Sequence, residues 1–284
     1  MAGEAAVSGT QSGEVVRESA RTLEPDRYLA SLLAPKTARS DLMALAAFTA
    51  EINKIPLVVS DPHLAEIRLQ WWRDAVLAPQ PSATGNPVAD AFAQVLAQQA
   101  DDMRALTDDW FDAVAYTFYP SGPETESDLF TELELREGTP FLLAARICGA
   151  EPSSALQQIT ACAGRAYGLA RLGVSMAHDF ARGRFPLPQV SESGLGEGAG
   201  PDSLVQSAAK GLIASRARAA LEQLRAPFQH GSPAPRAAIL PLALVEPYLR
   251  ACERQEHDLT RDIAEIAPLV RVWRIWRAHR TGRL

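Results

Sequence analysis

Residues 153–188, SSALQQITACAGRAYGLARLGVSMAHDFARGRFPLP, contain the longest uninterrupted helical pattern in the chain. Apolar side chains recur at three- and four-residue spacing from Ser153 to about Phe180, which is the period of an α-helix with one buried face. The glycine and prolines that follow Phe180 end the pattern. The stretch therefore predicts a long central helix followed by an arginine-rich turn.

The rest of the chain shows the same helical spacing, and strand signals are scarce. Asp61-Pro62 and Asn86-Pro87 each combine a capping side chain with a proline at the first helical position, which predicts two helix starts. Asp26 is predicted to cap a short helix that ends at Pro35. Because no repeat or composition shift divides the sequence, we expect one all-α domain of about nine or ten helices over residues 25–284.

The net charge, the apolar runs and the cysteines of the sequence indicate which partners and which cellular compartment to expect. The net charge of −6 disfavours nucleic acid as the main partner, since phosphate binding needs a basic face. No apolar run reaches the roughly 18 residues that span a bilayer. The three cysteines lie far apart in apolar contexts, which indicates buried thiols in a reducing compartment. Residues 1–24 have no apolar core, so we expect a disordered leader and a cytoplasmic protein.

Three stretches together resemble the squalene/phytoene synthase family. The first is residues 26–35, DRYLASLLAP, followed by the helix ALAAF at residues 44–48. The second is residues 64–74, LAEIRLQWWRD, and the third runs from Tyr167 to Pro188 and includes Arg-Gly-Arg beside Leu-Pro. These stretches span most of the chain, and the third is fairly specific for the family.

The resemblance implies an isoprenoid-synthase-like helical bundle around a central cavity and the head-to-head joining of two prenyl diphosphates. Family members ionise the diphosphate with Mg²⁺ held by two aspartate-rich motifs on facing helices. By position in the family pattern, Asp179 is the candidate catalytic and metal-binding residue. Tyr28, Asn53, Arg182 and Arg184 are the candidate substrate-binding residues.

Both aspartate motifs depart from the family pattern. The first is expected at residues 53–57, which read NKIPL and contain no carboxylate, and Pro56 is expected to break the helix that the motif needs. In the second, Asp179 matches, but about one helical turn is missing before Arg182. A single carboxylate can hardly hold Mg²⁺ ions around a diphosphate, because Mg²⁺ demands near-octahedral oxygen ligation.

A literal DDxxD string occurs elsewhere, at residues 108–112. It follows Thr107, which is predicted to start a helix, and acidic residues in a first turn complement the helix dipole. It also lies outside the family frame. We therefore expect no metal site there.

Residues 268–284, PLVRVWRIWRAHRTGRL, form a basic and aromatic segment without an acid. The favoured interpretation is a last helix that packs its apolar side on the bundle with its arginines in solvent. The alternative is docking to an anionic membrane or a partner. The glycine-rich stretch 186–201 is long enough to be a lid or a mobile connection.

Two functional hypotheses remain. In the first, the missing carboxylates leave a catalytically impaired protein that binds a prenyl diphosphate or lipid-like ligand, or works with a protein partner as an assembly factor. Family members of that kind are known around mitochondrial respiratory complexes. In the second, the chain is an active transferase that requires Mg²⁺. The first is favoured, with a cytoplasmic location, and peripheral contact with the inner membrane through residues 268–284 is left open as an alternative.

Overall fold

The computed structural model describes residues 2–80, 82–188, 203–230 and 234–284. The part of the chain it describes is helical and contains no strand, which confirms the all-α fold. Most of the predicted lid, residues 186–201, lies outside the described residues. Within those described, no helix combines the length and the apolar character that crossing a membrane requires.

Most neighbouring helices are joined by short connections, and a longer stretch, residues 253–267, precedes the last helix. In chain order they are α1 (Ala2–Leu23), α2 (Pro25–Leu32), α3 (Arg39–Val58), α4 (Pro62–Leu77), α5 (Pro87–Ala97), α6 (Asp101–Tyr116), α7 (Glu126–Leu133), α8 (Thr139–Ile147), α9 (Ser154–Ser175), α10 (Ala177–Phe180), α11 (Leu204–His230), α12 (Arg236–Ile239), α13 (Val245–Cys252) and α14 (Pro268–Thr281). A π-helical turn, Glu134–Gly138, joins α7 to α8, and a 3₁₀ segment, Leu240–Leu244, joins α12 to α13. These interruptions explain why the segments outnumber the predicted nine or ten helices.

The predicted central helix is confirmed as α9, which packs against α11, α13, α8 and the π turn. The approach to the π turn is close because glycines face each other there. A Cβ at Gly164 would lie 2.5 Å from the Gly138 nitrogen, a distance no real side chain tolerates. The glycine pair therefore brings the π turn directly onto the central helix.

Local sequence signals place several helix ends correctly. Asp61 accepts hydrogen bonds from the backbone of His63 and Leu64, and Asn86 accepts from Val88 and the residue after it, so both predicted caps are confirmed. Each such cap stabilises a helix by about 1 kcal/mol. Pro56 does not break α3, which continues to Val58.

Two predictions near the start of the chain are wrong. Asp26 does not cap α2, because the helix already begins at Pro25 and Asp26 is buried within it. Residues 1–24 are not a disordered leader, since α1 runs from Ala2 to Leu23 and packs on α3 with Val16 and Ala20 buried. The folded unit therefore extends ahead of residue 25.

An aromatic cluster fills the space between α3, α4, α5 and α6. Phe48 stacks on Phe92 with ring centroids 4.1 Å apart. It meets Trp72, Trp110 and Phe111 at centroid distances of 6.0, 5.4 and 5.8 Å. All five rings are buried, and packing of this kind adds about 0.5–1.5 kcal/mol per aromatic pair beyond the area buried.

Asp26 ties α2 to three other helices. Its Oδ2 accepts hydrogen bonds from the hydroxyls of Tyr167 and Tyr248, both 2.7 Å long, and its Oδ1 lies 2.7 Å from Nε of Arg271 on α14. Burial and the Asp26 charge raise the pKa of Tyr167 and that of Tyr248 well above the usual value, so both phenols stay protonated and donate. A buried carboxylate is stable here because three partners surround it.

We expect Asp26→Ala to lower the free energy of unfolding by about 3–5 kcal/mol, because it leaves a largely buried arginine and two phenols without their acceptor. Urea denaturation followed by circular dichroism measures the change. Asp74→Ala removes an exposed carboxylate and serves as the control, with an expected change within about 0.5 kcal/mol. Equal effects of the two substitutions would contradict this role of Asp26.

Candidate functional site

A cleft of about 280 Å³ opens between α3, the end of α6, the π turn and the end of α9. Its α3 wall includes Ala50, Asn53, Lys54 and Leu57. These residues are spaced at i, i+3, i+4 and i+7, so they share one face of the helix. The segment in which the family pattern places its first metal motif therefore faces the cleft with an amide and an ammonium group.

The opposite wall comes from the end of the central helix and the turn that follows it. Arg171, Ser175, His178 and Asp179 lie on one face of α9 and α10, and Arg182 follows in the turn. The structure thus brings Asn53, Asp179 and Arg182 together in one cleft, although they are far apart in sequence. This grouping is the one the family frame predicts for the two motifs.

Asp179 is held by arginines. Its Oδ1 accepts a hydrogen bond of 2.7 Å from Nη2 of Arg182 and lies 3.6 Å from Nη1 of Arg184. Arg182 also donates to the carbonyl oxygens of Thr117 and His178, which fixes the guanidinium at the edge of the cleft. Two positive neighbours thus neutralise the one aspartate that matches the family pattern.

Two further acids, Glu24 and Glu137, line the cleft, and sequence analysis missed both. Glu24 lies 3.0 Å from Nη1 of Arg171, and Glu137 lies 3.5 Å from Nη2 of Arg27 and 3.7 Å from Nε of Arg136. Burial alone would raise the pKa of Glu137, but Arg171, Arg136 and Arg27 lower it below its usual value. Glu137 is therefore held in its charged form, and both acids already contact arginines.

The cleft is more basic than acidic. Its four cationic side chains are Lys54, Arg136, Arg171 and Arg182, against the three carboxylates of Glu24, Glu137 and Asp179. Lys54 forms no ion pair with any residue that the structure describes. An ammonium group without a carboxylate beside it favours an anionic ligand.

The donor set does not fit the Mg²⁺ cluster that the family resemblance implies. Each cleft carboxylate contacts an arginine, and the facing helix offers Asn53 and Lys54 where carboxylates are required. Across the described residues, no group of three or more His, Cys, Asp or Glu side chains is arranged to hold a metal ion. Cationic neighbours would also repel Mg²⁺.

A second groove, of about 460 Å³, adjoins the cleft and is mainly apolar. The two share Pro56, Leu57, His178 and Arg182 in their walls. The further groove residues include Val59, Pro62, Ala65, Phe118 and Pro120. The basic cleft thus adjoins a groove whose lining residues are mostly apolar.

Two predicted site residues lie elsewhere. Arg184 is 1% exposed beneath the cleft, where its Nη2 donates a hydrogen bond of 2.6 Å to Glu132. Tyr28 is buried, and its hydroxyl accepts a hydrogen bond from Arg17. Neither residue lines the cleft.

The DDxxD string lies in the middle of α6, because this helix begins at Asp101 rather than at Thr107. Its two end residues, Asp108 and Asp112, both pair with Arg73 on α4. The prediction that these aspartates complement the dipole at a helix start is therefore wrong. Asp108 and Asp112 instead connect α6 to α4 through ion pairs.

Comparisons with known proteins agree with the sequence resemblance. The family model described as squalene/phytoene synthase matches residues 20–278. No curated protein sequence matches the chain.

Two solved structures have a similar fold. One is a dehydrosqualene synthase in complex with ligand, with 15% identity, a TM-score of 0.73 and coverage of 95% of this chain and 96% of that one. The other is squalene synthase HpnC from Alicyclobacillus acidocaldarius, with 16% identity, a TM-score of 0.62 and coverage of 97% and 96%. The isoprenoid-synthase type of helical fold is therefore confirmed.

The lowered pKa of Glu137 predicts a specific acid dependence of stability. Its contribution is complete well above the unfolded-state pKa of about 4.3 and is lost in the acid interval below it, as pH falls through the lower folded-state pKa. Glu137→Gln should therefore be less stable near neutral pH and lose less stability in that interval. Urea unfolding at a series of pH values measures this.

Glu124→Gln is the matched control, because the Glu124 side chain is exposed and forms no ion pair with the described residues. It should keep the wild-type pH dependence. If Glu137→Gln also keeps it, the arginines do not hold Glu137 charged in the way described.

Proposed function

The chain belongs to the squalene/phytoene synthase family, and from that premise we propose that it binds a prenyl diphosphate or a similar anionic lipid without carrying out Mg²⁺-dependent prenyl transfer. It then serves as a binding or assembly factor rather than a transferase. The observation that carries the proposal is the pairing of Asp179 with Arg182 and Arg184, opposite Asn53 and Lys54.

Ionisation of an allylic diphosphate needs strong neutralisation of the leaving pyrophosphate, which metal ions supply in active members of the family. Losing such stabilisation removes several kcal/mol from the transition state. In this cleft the carboxylates are occupied by arginines, so they are not free to bind Mg²⁺. Binding of the ligand can persist while its ionisation is lost.

The cationic side chains support binding of an anionic head group. Lys54 from α3 and Arg182 from the opposite wall lie on two sides of the cleft, and Arg136 and Arg171 add positive charge. Hydrogen bonds from ammonium or guanidinium groups to phosphate oxygens are about twice as strong as neutral ones. These side chains can contact the oxygens of a phosphate or diphosphate without a metal ion between them.

The adjoining apolar groove supports binding of a hydrocarbon chain. Because the cleft and the groove share Leu57 and Arg182, a head group in the cleft would place its chain across Leu57 towards Phe118. Burial of a hydrocarbon contributes about 0.8 kcal/mol per CH₂ group. An isoprenoid or acyl chain fits this combination better than a small polar anion does.

We expect the pure protein to bind farnesyl diphosphate in the presence of EDTA, and Lys54→Glu to weaken that binding at least about tenfold. A charge-assisted hydrogen bond contributes about 1.5–3 kcal/mol, and 1.4 kcal/mol corresponds to a factor of ten. Isothermal titration calorimetry measures both dissociation constants.

Lys36→Glu is the matched control, since Lys36 is exposed and does not line the cleft. Its affinity should equal that of the wild type. Farnesol, which lacks the diphosphate, should bind more weakly than farnesyl diphosphate. Binding that disappears in EDTA would contradict a metal-free site.

We also expect no pyrophosphate release from labelled farnesyl or geranylgeranyl diphosphate when the protein is incubated with Mg²⁺. An active dehydrosqualene synthase provides the positive control for the assay. Release above the protein-free rate, abolished by Asp179→Ala, would show that the chain is an active transferase and would overturn the impaired-enzyme proposal.

A further inference from the structure

Helix α14 turns its apolar residues outwards, contrary to the favoured sequence interpretation. Only Ile275 and Ala278 are buried in this helix, and they pack it on the 3₁₀ segment and α2. Arg271 points inwards to Asp26. The sequence prediction that the apolar side packs on the bundle with the arginines in solvent is therefore wrong for Arg271 and for most of the large apolar residues.

The exposed face of α14 carries large apolar side chains. Leu269 is 84% exposed, and Trp273 and Trp276 are 50% and 51% exposed. With the half-exposed Val272 they occupy positions i, i+3, i+4 and i+7, which form one continuous stripe. A stripe of this size on the solvent side indicates an interaction surface.

Cationic side chains flank this stripe. Arg274, Arg277, Arg280 and Arg283 form no ion pair with the residues that the structure describes, although Arg274 and Arg277 both lie over the ring of Trp273. Residues 268–284 contain no acid, while the whole chain has a net charge of −6. The surface next to the exposed tryptophans is therefore locally basic in an acidic protein.

We propose that α14 lies flat on an anionic lipid bilayer, with Trp273 and Trp276 at the level of the head groups and Arg277, Arg280 and Arg283 on lipid phosphates. Tryptophan prefers the membrane interface, and arginine pairs with phosphate while its aliphatic stem stays in apolar surroundings. This surface is separate from the cleft. The membrane proposal can therefore be tested independently of the ligand proposed above.

Charge explains why the occupant is a bilayer rather than a second copy of the chain. In a symmetric dimer the same surface meets itself, so Arg277 and Arg280 would face the same arginines of the partner. Burial, and then the charges of Arg250 and Arg277, lower the pKa of Arg274, while Glu246 raises it, so further cations brought against this helix would add to the repulsion. Anionic head groups relieve this crowding, whereas a second copy increases it.

Co-sedimentation with vesicles tests the proposal. The full chain should bind phosphatidylcholine vesicles that contain about one third phosphatidylglycerol and should bind pure phosphatidylcholine vesicles at least about tenfold more weakly. Raising NaCl from about 0.1 M to about 0.5 M should release the protein, because salt screens surface charges.

Two double variants assign the contact to α14. Trp273→Ala with Trp276→Ala, and Arg277→Glu with Arg280→Glu, should each lower the partition coefficient at least about tenfold. The matched controls are Trp71→Ala and Arg68→Glu on α4, where a tryptophan and an arginine are also exposed. Both controls should bind like the wild type.

Circular dichroism verifies that each variant is folded. If the tryptophan variant unfolds, the arginine variant decides, since the arginine side chains it changes are exposed. Equal binding to neutral vesicles, no binding to anionic vesicles, or loss of binding in the α4 controls would overturn the proposal. A dimer or a protein complex that depends on Trp273 and Trp276, without vesicle binding, would overturn it as well.

Discussion

The structure depends on a chain of carboxylates and arginines that neutralise one another inside the helical bundle. From the cleft it runs through Arg182, Asp179, Arg184, Glu132, Arg136, Glu137, Arg27, Glu24 and Arg171. A buried charge without a partner costs several kcal/mol. Removing one residue of this series of ion pairs would therefore destabilise the residues beside it. The carboxylates of the cleft belong to this series, so each of them already contacts an arginine of the protein.

This internal pairing accounts for the character of the cleft. In an aspartate-rich metal site, carboxylates from two helices must be free to share cations. Here Asp179 lies 2.7 Å from Arg182, and the facing helix presents Lys54, whose ammonium group has no carboxylate beside it among the described residues. One wall thus presents a base, and the aspartate of the other wall contacts two arginines, an arrangement unlike an open carboxylate site. The family fold is retained, and the charges of the cleft are the basis for proposing an anionic ligand bound without metal.

Helix ends that depend on neighbouring residues could be predicted from the sequence. Part of the cleft could be predicted from the family resemblance. The caps at Asp61 and Asn86 depend on neighbouring backbone groups, so they could be predicted from a few residues. Asp26 has the same capping chemistry, but its partners lie 141 and 222 residues away, and those contacts decide its place.

The grouping of Asn53, Asp179 and Arg182 followed from alignment to the family pattern, whereas Arg136 and Glu137 enter the cleft through a π turn that no spacing rule indicates. Arg171 could have been found, since it lies eight residues before Asp179 on the same helix face. The orientation of α14 could not be predicted, because its apolar residues occur on every side and leave the buried face undetermined by periodicity. The ion pair between Arg271 and Asp26 lies on the side of α14 that faces the bundle, where Ile275 is also buried. These contacts determine which face of α14 packs on the bundle. The same Asp26 binds Tyr167 on α9, and Glu24, one residue before α2, contacts Arg171 in the cleft wall. Residues at the start of α2 thus contact both the wall of the basic cleft and helix α14. Ion pairs in the interior therefore determine how the cleft and α14 lie relative to each other.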